Sequence, residues 1–139
     1  MKNQERLILA TLILSIGLAG QVSSQTPFHG VIYGSDRGIQ EAQWEIEQLP
    51  RRLPQYRNLK RSLFKRKGFY VSVILFPTKQ DAYNALPIIE NEYKRGSFVR
   101  PLNEWCPNWK NPKKKDKESG ISYYDCETEN KKSLSEKLG

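Results

Sequence analysis

Residues 69–76 read Phe69-Tyr70-Val71-Ser72-Val73-Ile74-Leu75-Phe76. Aromatic and β-branched side chains fill this run, the composition that suits a pleated, buried strand. Lys67-Gly68 precedes it and reads as the tip of a hairpin to a more polar strand, Leu59 to Lys65. Thr78-Lys79-Gln80-Asp81 follows it. A hydroxyl and a carboxylate at that spacing satisfy free backbone N–H groups and open a helix. Ala82, Ala85, Leu86 and Ile89 make the apolar stripe of that helix, with Pro87 placed to kink or stop it. Phe98 to Leu102 is the last strand, running towards Trp105-Cys106-Pro107.

Upstream lies an echo of the same unit. Gln40-Glu41-Ala42 matches Gln80-Asp81-Ala82, and Leu49-Pro50 matches Leu86-Pro87. Val31-Ile32-Tyr33 is a strand and Gly34-Ser35-Asp36 supplies turn and cap residues. Ile39, Ala42, Ile46, Leu49 and Leu53 then share one helical face, which Pro50 should end or bend near Leu49. The order is strand–helix–strand given twice. It predicts a ferredoxin-like α+β fold, βαββαβ, over residues 28–106: a four-stranded antiparallel sheet with two helices on one face. Residues 107–139 form a polar, lysine-rich tail, with residues 127–139 expected to be disordered. Lys113-Lys114-Lys115 with Lys117 reads as a solvated loop, and Ile121 to Tyr124 as a short strand or apolar clamp.

The first 24 residues have the layout of a secretory signal peptide. Lys2 and Arg6 precede an apolar run from Leu7 to Gly20, and Val22-Ser23-Ser24 offers small residues for cleavage. The run is shorter than a spanning helix requires, although an uncleaved anchor is the alternative. Removing this segment leaves a net charge of +7 from the +8 of the whole chain. The expected location is periplasmic or secreted. An oxidising compartment favours a disulfide between Cys106 and Cys126, worth about 3 kcal/mol on a chain-entropy model.

Composition excludes much. The 139 residues allow one ordinary domain, and the mean hydropathy of −0.70 allows only a modest core. His29 is the sole histidine and there are two cysteines. His-based triads, multi-His metal sites and four-Cys zinc sites are therefore impossible. No spacing marks a nucleophile or a paired acid and base. The expectation is a non-catalytic protein with no metal and no cofactor.

Side chains alternate along residues 69–76. Phe69, Val71, Val73 and Leu75 form a purely apolar set suited to the helix-covered core. Tyr70, Ser72, Ile74 and Phe76 mix aromatic, hydroxyl and aliphatic groups and suit an open platform. On that reading Tyr70 and Phe76 stack on sugar rings, and Ser72 hydrogen-bonds a sugar hydroxyl. The alternative is that this face is covered by the cystine-tethered tail. Arg51 to Lys67 carries eight basic residues and no acid. Arg61 and Lys65 would form a positive rim for envelope anions, or the run simply protects an edge strand from pairing.

Val31-Ile32-Tyr33-Gly34-Ser35 leading to Glu41-Ala42, with residues 69–76 leading to Asp81-Ala82, resembles the SPOR (sporulation-related repeat) domain of exported bacterial proteins. The likeness spans about 28–105. It implies a ferredoxin-like fold and binding of peptidoglycan glycan strands on the open sheet face. Ile32 stands where that family often has a polar residue, and Ile74-Leu75-Phe76 where it often has Gly-Pro-Phe. Three other classes were weighed. A protein–protein module of the envelope, its sheet face covered by a partner or by its own tail, is the alternative. A nucleic-acid binder is disfavoured by export and by the lack of a Lys/Arg-Gly-Phe/Tyr motif, and an enzyme by the absence of a marked site. The membrane would be met only through the N-terminal segment.

Overall fold

The computed structural model describes residues 28–127. The expected signal segment and residues 128–139 lie outside the described residues.

Strand β1 (His29–Asp36) leads into helix α1 (Ile39–Arg52) and a short 3-10 turn (Pro54–Tyr56). Strands β2 (Arg61–Arg66) and β3 (Phe69–Phe76) form a hairpin. Lys67 (φ 53°) and Gly68 (φ 80°) both take positive φ at its tip, as a two-residue primed turn requires. Helix α2 (Lys79–Glu92), strand β4 (Phe98–Pro101) and a one-turn helix α3 (Leu102–Trp105) follow. The tail then adds β5 (Lys114–Lys115) and β6 (Ser122–Asp125).

The fold is α+β. The sheet has six strands in the order β4-β1-β3-β2-β6-β5. It is mixed, because β6 runs parallel to β2 while the other neighbours are antiparallel. The expectation of a four-stranded antiparallel sheet is corrected here. β2 is not an edge: its outer side pairs with tail residues Tyr124 and Asp125. The tail thus adds Lys114–Lys115 and Ser122–Asp125 to the sheet. Its turn is tied by Asp116, whose carboxylate accepts from the Ser119 N–H (2.9 Å) and hydroxyl (2.7 Å).

Local chemistry explains the helices. The Oγ1 of Thr78 accepts from the Asp81 N–H at 3.1 Å, the expected cap of α2. Pro50 and Pro87 lie inside their helices, which run on to Arg52 and Glu92 rather than stopping. Proline removes the N–H that would bond the carbonyl four residues back. At Pro50 that carbonyl is Ile46 O, and the buried hydroxyl of Tyr33 donates to it at 3.3 Å. The defect is absorbed by a tyrosine from β1.

Both helices pack on one face of the sheet. Val31, Tyr33, Leu63, Ile74, Phe76 and Val99 meet Ala42, Ile46, Leu49, Ala82, Ala85 and Ile89 there. A second apolar layer occupies the opposite face. Ile32, Phe64, Val71, Val73 and Leu75 pack with Leu102, Trp105, Cys106, Trp109 and Tyr124. The disulfide between Cys106 and Cys126 is formed, and it staples α3 to the end of β6. Gly30 makes room for this layer. A Cβ there would lie 2.5 Å from a methyl of Val73 and 2.9 Å from one of Leu102. The far face is therefore not bare.

Candidate functional site

The two side-chain sets of β3 sit on the faces opposite to those expected. Tyr70, Ser72, Ile74 and Phe76 point to the helices, and Phe69, Val71, Val73 and Leu75 to the tail side. Ser72 is fully buried, and its Oγ donates to the Ala42 carbonyl of α1 at 3.4 Å. Phe76 is buried against Tyr56, ring centroids 6.1 Å apart. Tyr70 is half-buried and meets Tyr123 edge to face at 5.4 Å. Ser72 is enclosed beneath α1, and Phe76, though buried, lines a separate cavity with Tyr56, Leu59 and Ile88.

The expected basic rim is partly spent on structure. The Nη1 of Arg61 donates to the carbonyls of Tyr56, Arg57 and Leu59 and ties down the loop after α1. Lys65 lies over the Tyr70 ring at 5.8 Å.

What the tail leaves uncovered on the far face is a pocket of about 270 Å³. It lies between the end of β1, the β2–β3 hairpin, the start of β4 and α3. Its apolar lining comes from Ile32, Val71 and three aromatic rings, Phe69, Phe98 and Trp105. Register puts them together: Phe98 pairs with Ile32 across β4–β1, and Ser35 with Val71 across β1–β3. A bulge between Ile32 and Gly34 restores Ser35 to the far face.

A guanidinium accompanies each ring. Arg37 lies 5.4 Å from the Phe69 centroid, Arg66 5.2 Å from that of Trp105, and Arg100 4.8 Å from that of Phe98. Arg66 is further held by a bond from Nε to the Trp105 carbonyl, 3.2 Å. Arg66 and Lys67 are the charged residues of the lining, and no carboxylate shares it. Aromatic faces with a hydroxyl (Ser35) and cations suit a flat ring that carries an acid group.

A buried ionic cluster on the helix side has a structural role. Glu45 is buried in α1 and pairs with Lys94 at 2.7 Å. The Tyr93 hydroxyl donates to the Glu45 carbonyl at 3.2 Å. Burial pushes the Tyr33 and Tyr93 phenols above the usual range, and burial followed by the nearby Glu45 charge raises the Asp36 carboxyl. These groups tie α1 to β1 and to the turn before β4. Among the described residues no group of three or more His, Cys, Asp or Glu side chains could hold a metal ion. No described helix is long and apolar enough to cross a membrane.

Searches against family models, curated proteins and solved structures found no match for this chain.

The sequence assigns Phe69 and Val71 to the helix-covered core and gives Phe98, Trp105 and Arg66 no binding role. Their signal is the pairing of aromatics with Arg at both ends of the apolar strands: Arg66 before Phe69, and Phe98 before Arg100.

Proposed function

We propose that this chain is an exported, non-catalytic cell-envelope module that binds peptidoglycan glycan strands. The binding residues are those of the far-face pocket: Phe69, Phe98 and Trp105 against sugar rings, Ser35 towards a hydroxyl, Arg66 and Lys67 towards a carboxylate. The single observation that carries the reading is the cluster of three rings with cations and no acid, on a part of the far sheet face that the described residues leave open. The formed disulfide is in keeping with an oxidising compartment. The order β4-β1-β3-β2 with both helices on one side supports a ferredoxin-like, SPOR-like core, extended by β6 and β5.

The test is co-sedimentation with purified sacculi, before and after amidase removes the stem peptides. The reading expects recovery in the pellet, higher after amidase, and reduced by Phe98→Ala. A second reading is interaction with another envelope protein. It is favoured by the tail layer, which narrows the sheet face to a pocket of side-chain size. Recovery of a defined envelope protein with no affinity for sacculi would select it.

A further inference from the structure

A second and larger cavity lies on the helix side, where the tail hairpin meets α1, and it is independent of the aromatic pocket. It holds about 540 Å³, within the range of small-molecule sites. Its floor is apolar, from Ile46, Leu63 and Ile121. Its walls are polar. Helix α1 gives Gln43 and Glu47, β2 gives Arg61 and Ser62, and the tail gives Lys113 and the turn 119–122.

The charges of this groove are separated by structure. Lys113 is held beside Ser62, its Nζ donating to the buried Ser62 Oγ at 3.2 Å. Arg61 is the next residue, and all three of its hydrogen bonds use Nη1, on its own loop. Neighbouring strand residues face opposite ways: Arg61, paired with Ile74, lies on the helix side with Glu47, whereas the Lys113 ammonium sits at Ser62 on the far side, 4.9 Å from the Tyr124 ring centroid. Glu47 stands on the α1 wall and accepts from the Gln43 amide at 3.1 Å. Among the described residues no ion pair joins Glu47 to Arg61 or Lys113; the pairs are Lys94–Glu45 and Lys114–Asp125. Opposite charges line one cavity yet stay apart across it.

We infer that this groove binds a short peptide with free termini, or another zwitterion of that size. Its carboxylate meets Arg61, its ammonium meets Glu47, and small side chains rest on Ile46, Leu63 and Ile121. The Ser119 hydroxyl is engaged by Asp116 and the Ile121 N–H, so Ser122 supplies the hydroxyl of this wall. A ligand with charge of one sign leaves one wall unmatched.

The experiment is an amide NMR titration of the full chain with three probes: trialanine, N-acetyl-trialanine and trialanine amide. Trialanine is expected to shift the amides of Gln43, Glu47, Ser62 and Ser119–Ser122. Each blocked form should bind about tenfold more weakly, the loss of one charge-assisted contact. Glu47→Gln should lower trialanine to the level of the acetylated probe and leave that probe unchanged. Arg61→Gln should do the same with respect to the amide, and Lys113→Gln should leave the binding of all three probes unchanged. Glu47 and Lys113 are exposed, so those variants keep the fold, and circular dichroism with the Glu47 variant as reference checks that Arg61→Gln keeps its loop. Equal binding of all three probes, or no shift in the groove at millimolar trialanine, overturns the inference.

Discussion

Gly34 of β1 and Ser72 of β3 stand face to face beneath α1. A Cβ at position 34 would lie 3.2 Å from both the Cβ and the Oγ of Ser72, and 2.9 Å from the Cγ of Glu45. The two residues are small because the helix passes close, and the Ser72 hydroxyl is consumed by the Ala42 carbonyl. Space, and not a ligand, sets the identity of this pair.

The pair makes a quantitative expectation. Ser72→Leu overpacks the contact with α1 and should lower stability by about 1–3 kcal/mol. Ser72→Ala keeps the volume and loses one long hydrogen bond, so it should lie within about 1 kcal/mol of wild type. Urea unfolding midpoints at constant slope measure both.

The same pair explains what was legible in the sequence. The element order, the two apolar helical stripes, the Thr78 cap and the Lys67-Gly68 turn are local patterns, and each is present. The direction in which β3 faces is not local. Residues 69–76 alternate between two sets that are both apolar enough for a core, and one serine in the second set suggested a wet surface. Whether a serine is wet depends on how near α1 comes, which only the packing decides. The place of the tail in the sheet is hidden for a related reason. Lys113 to Lys117 is charged and reads as loop, yet two residues of β6 pair with β2 and Tyr124 fills the layer beside Phe64 (centroids 4.9 Å). The staple between Cys106 and Cys126 and a short strand near Ile121 to Tyr124 are readable; the pairing of that strand with β2 is not.

That staple holds the far-side layer in place. Replacing both cysteines by serine should cost about 3 kcal/mol on the chain-entropy model, the sequence separation being 20 residues. Trp105 and Trp109 are nearly buried beside it. Their fluorescence should therefore shift to the red in the double variant before the helices melt by circular dichroism.

The Lys94–Glu45 pair should be asymmetric. The Lys94 side chain is 47% exposed and the Glu45 side chain 10%. Removing the lysine leaves a nearly buried carboxylate without its cation, whereas removing the carboxylate leaves a lysine that water can reach. Lys94→Ala is expected to destabilise by about 2–3 kcal/mol and Glu45→Gln by about 1 kcal/mol. Equal effects in denaturant titrations would refute this ordering.

The tail turn should respond to acid. Hydrogen bonds from the Ser119 N–H and hydroxyl hold the Asp116 carboxyl below the usual carboxylate range. Its folded pKa is depressed, so the stabilisation is present above the unfolded value of about 3.9 and is lost as pH falls through the folded value. The Ser119 amide shift should titrate with a midpoint below that of an ordinary aspartate. Ser119→Ala should move the midpoint up, and Asp116→Asn should abolish the transition.

The central claim is that ligand binding belongs to the three-ring pocket of the far face and not to Tyr70, Ser72 and Phe76. Its most direct measurement is an amide NMR titration of the full chain with soluble, peptide-free glycan fragments prepared from sacculi. The account predicts shifts at Ile32, Ser35, Phe69, Val71 and Phe98, lost in Phe98→Ala and kept in Tyr83→Ala, an exposed aromatic on α2. Shifts confined to the helix side, or none at all, would contradict it.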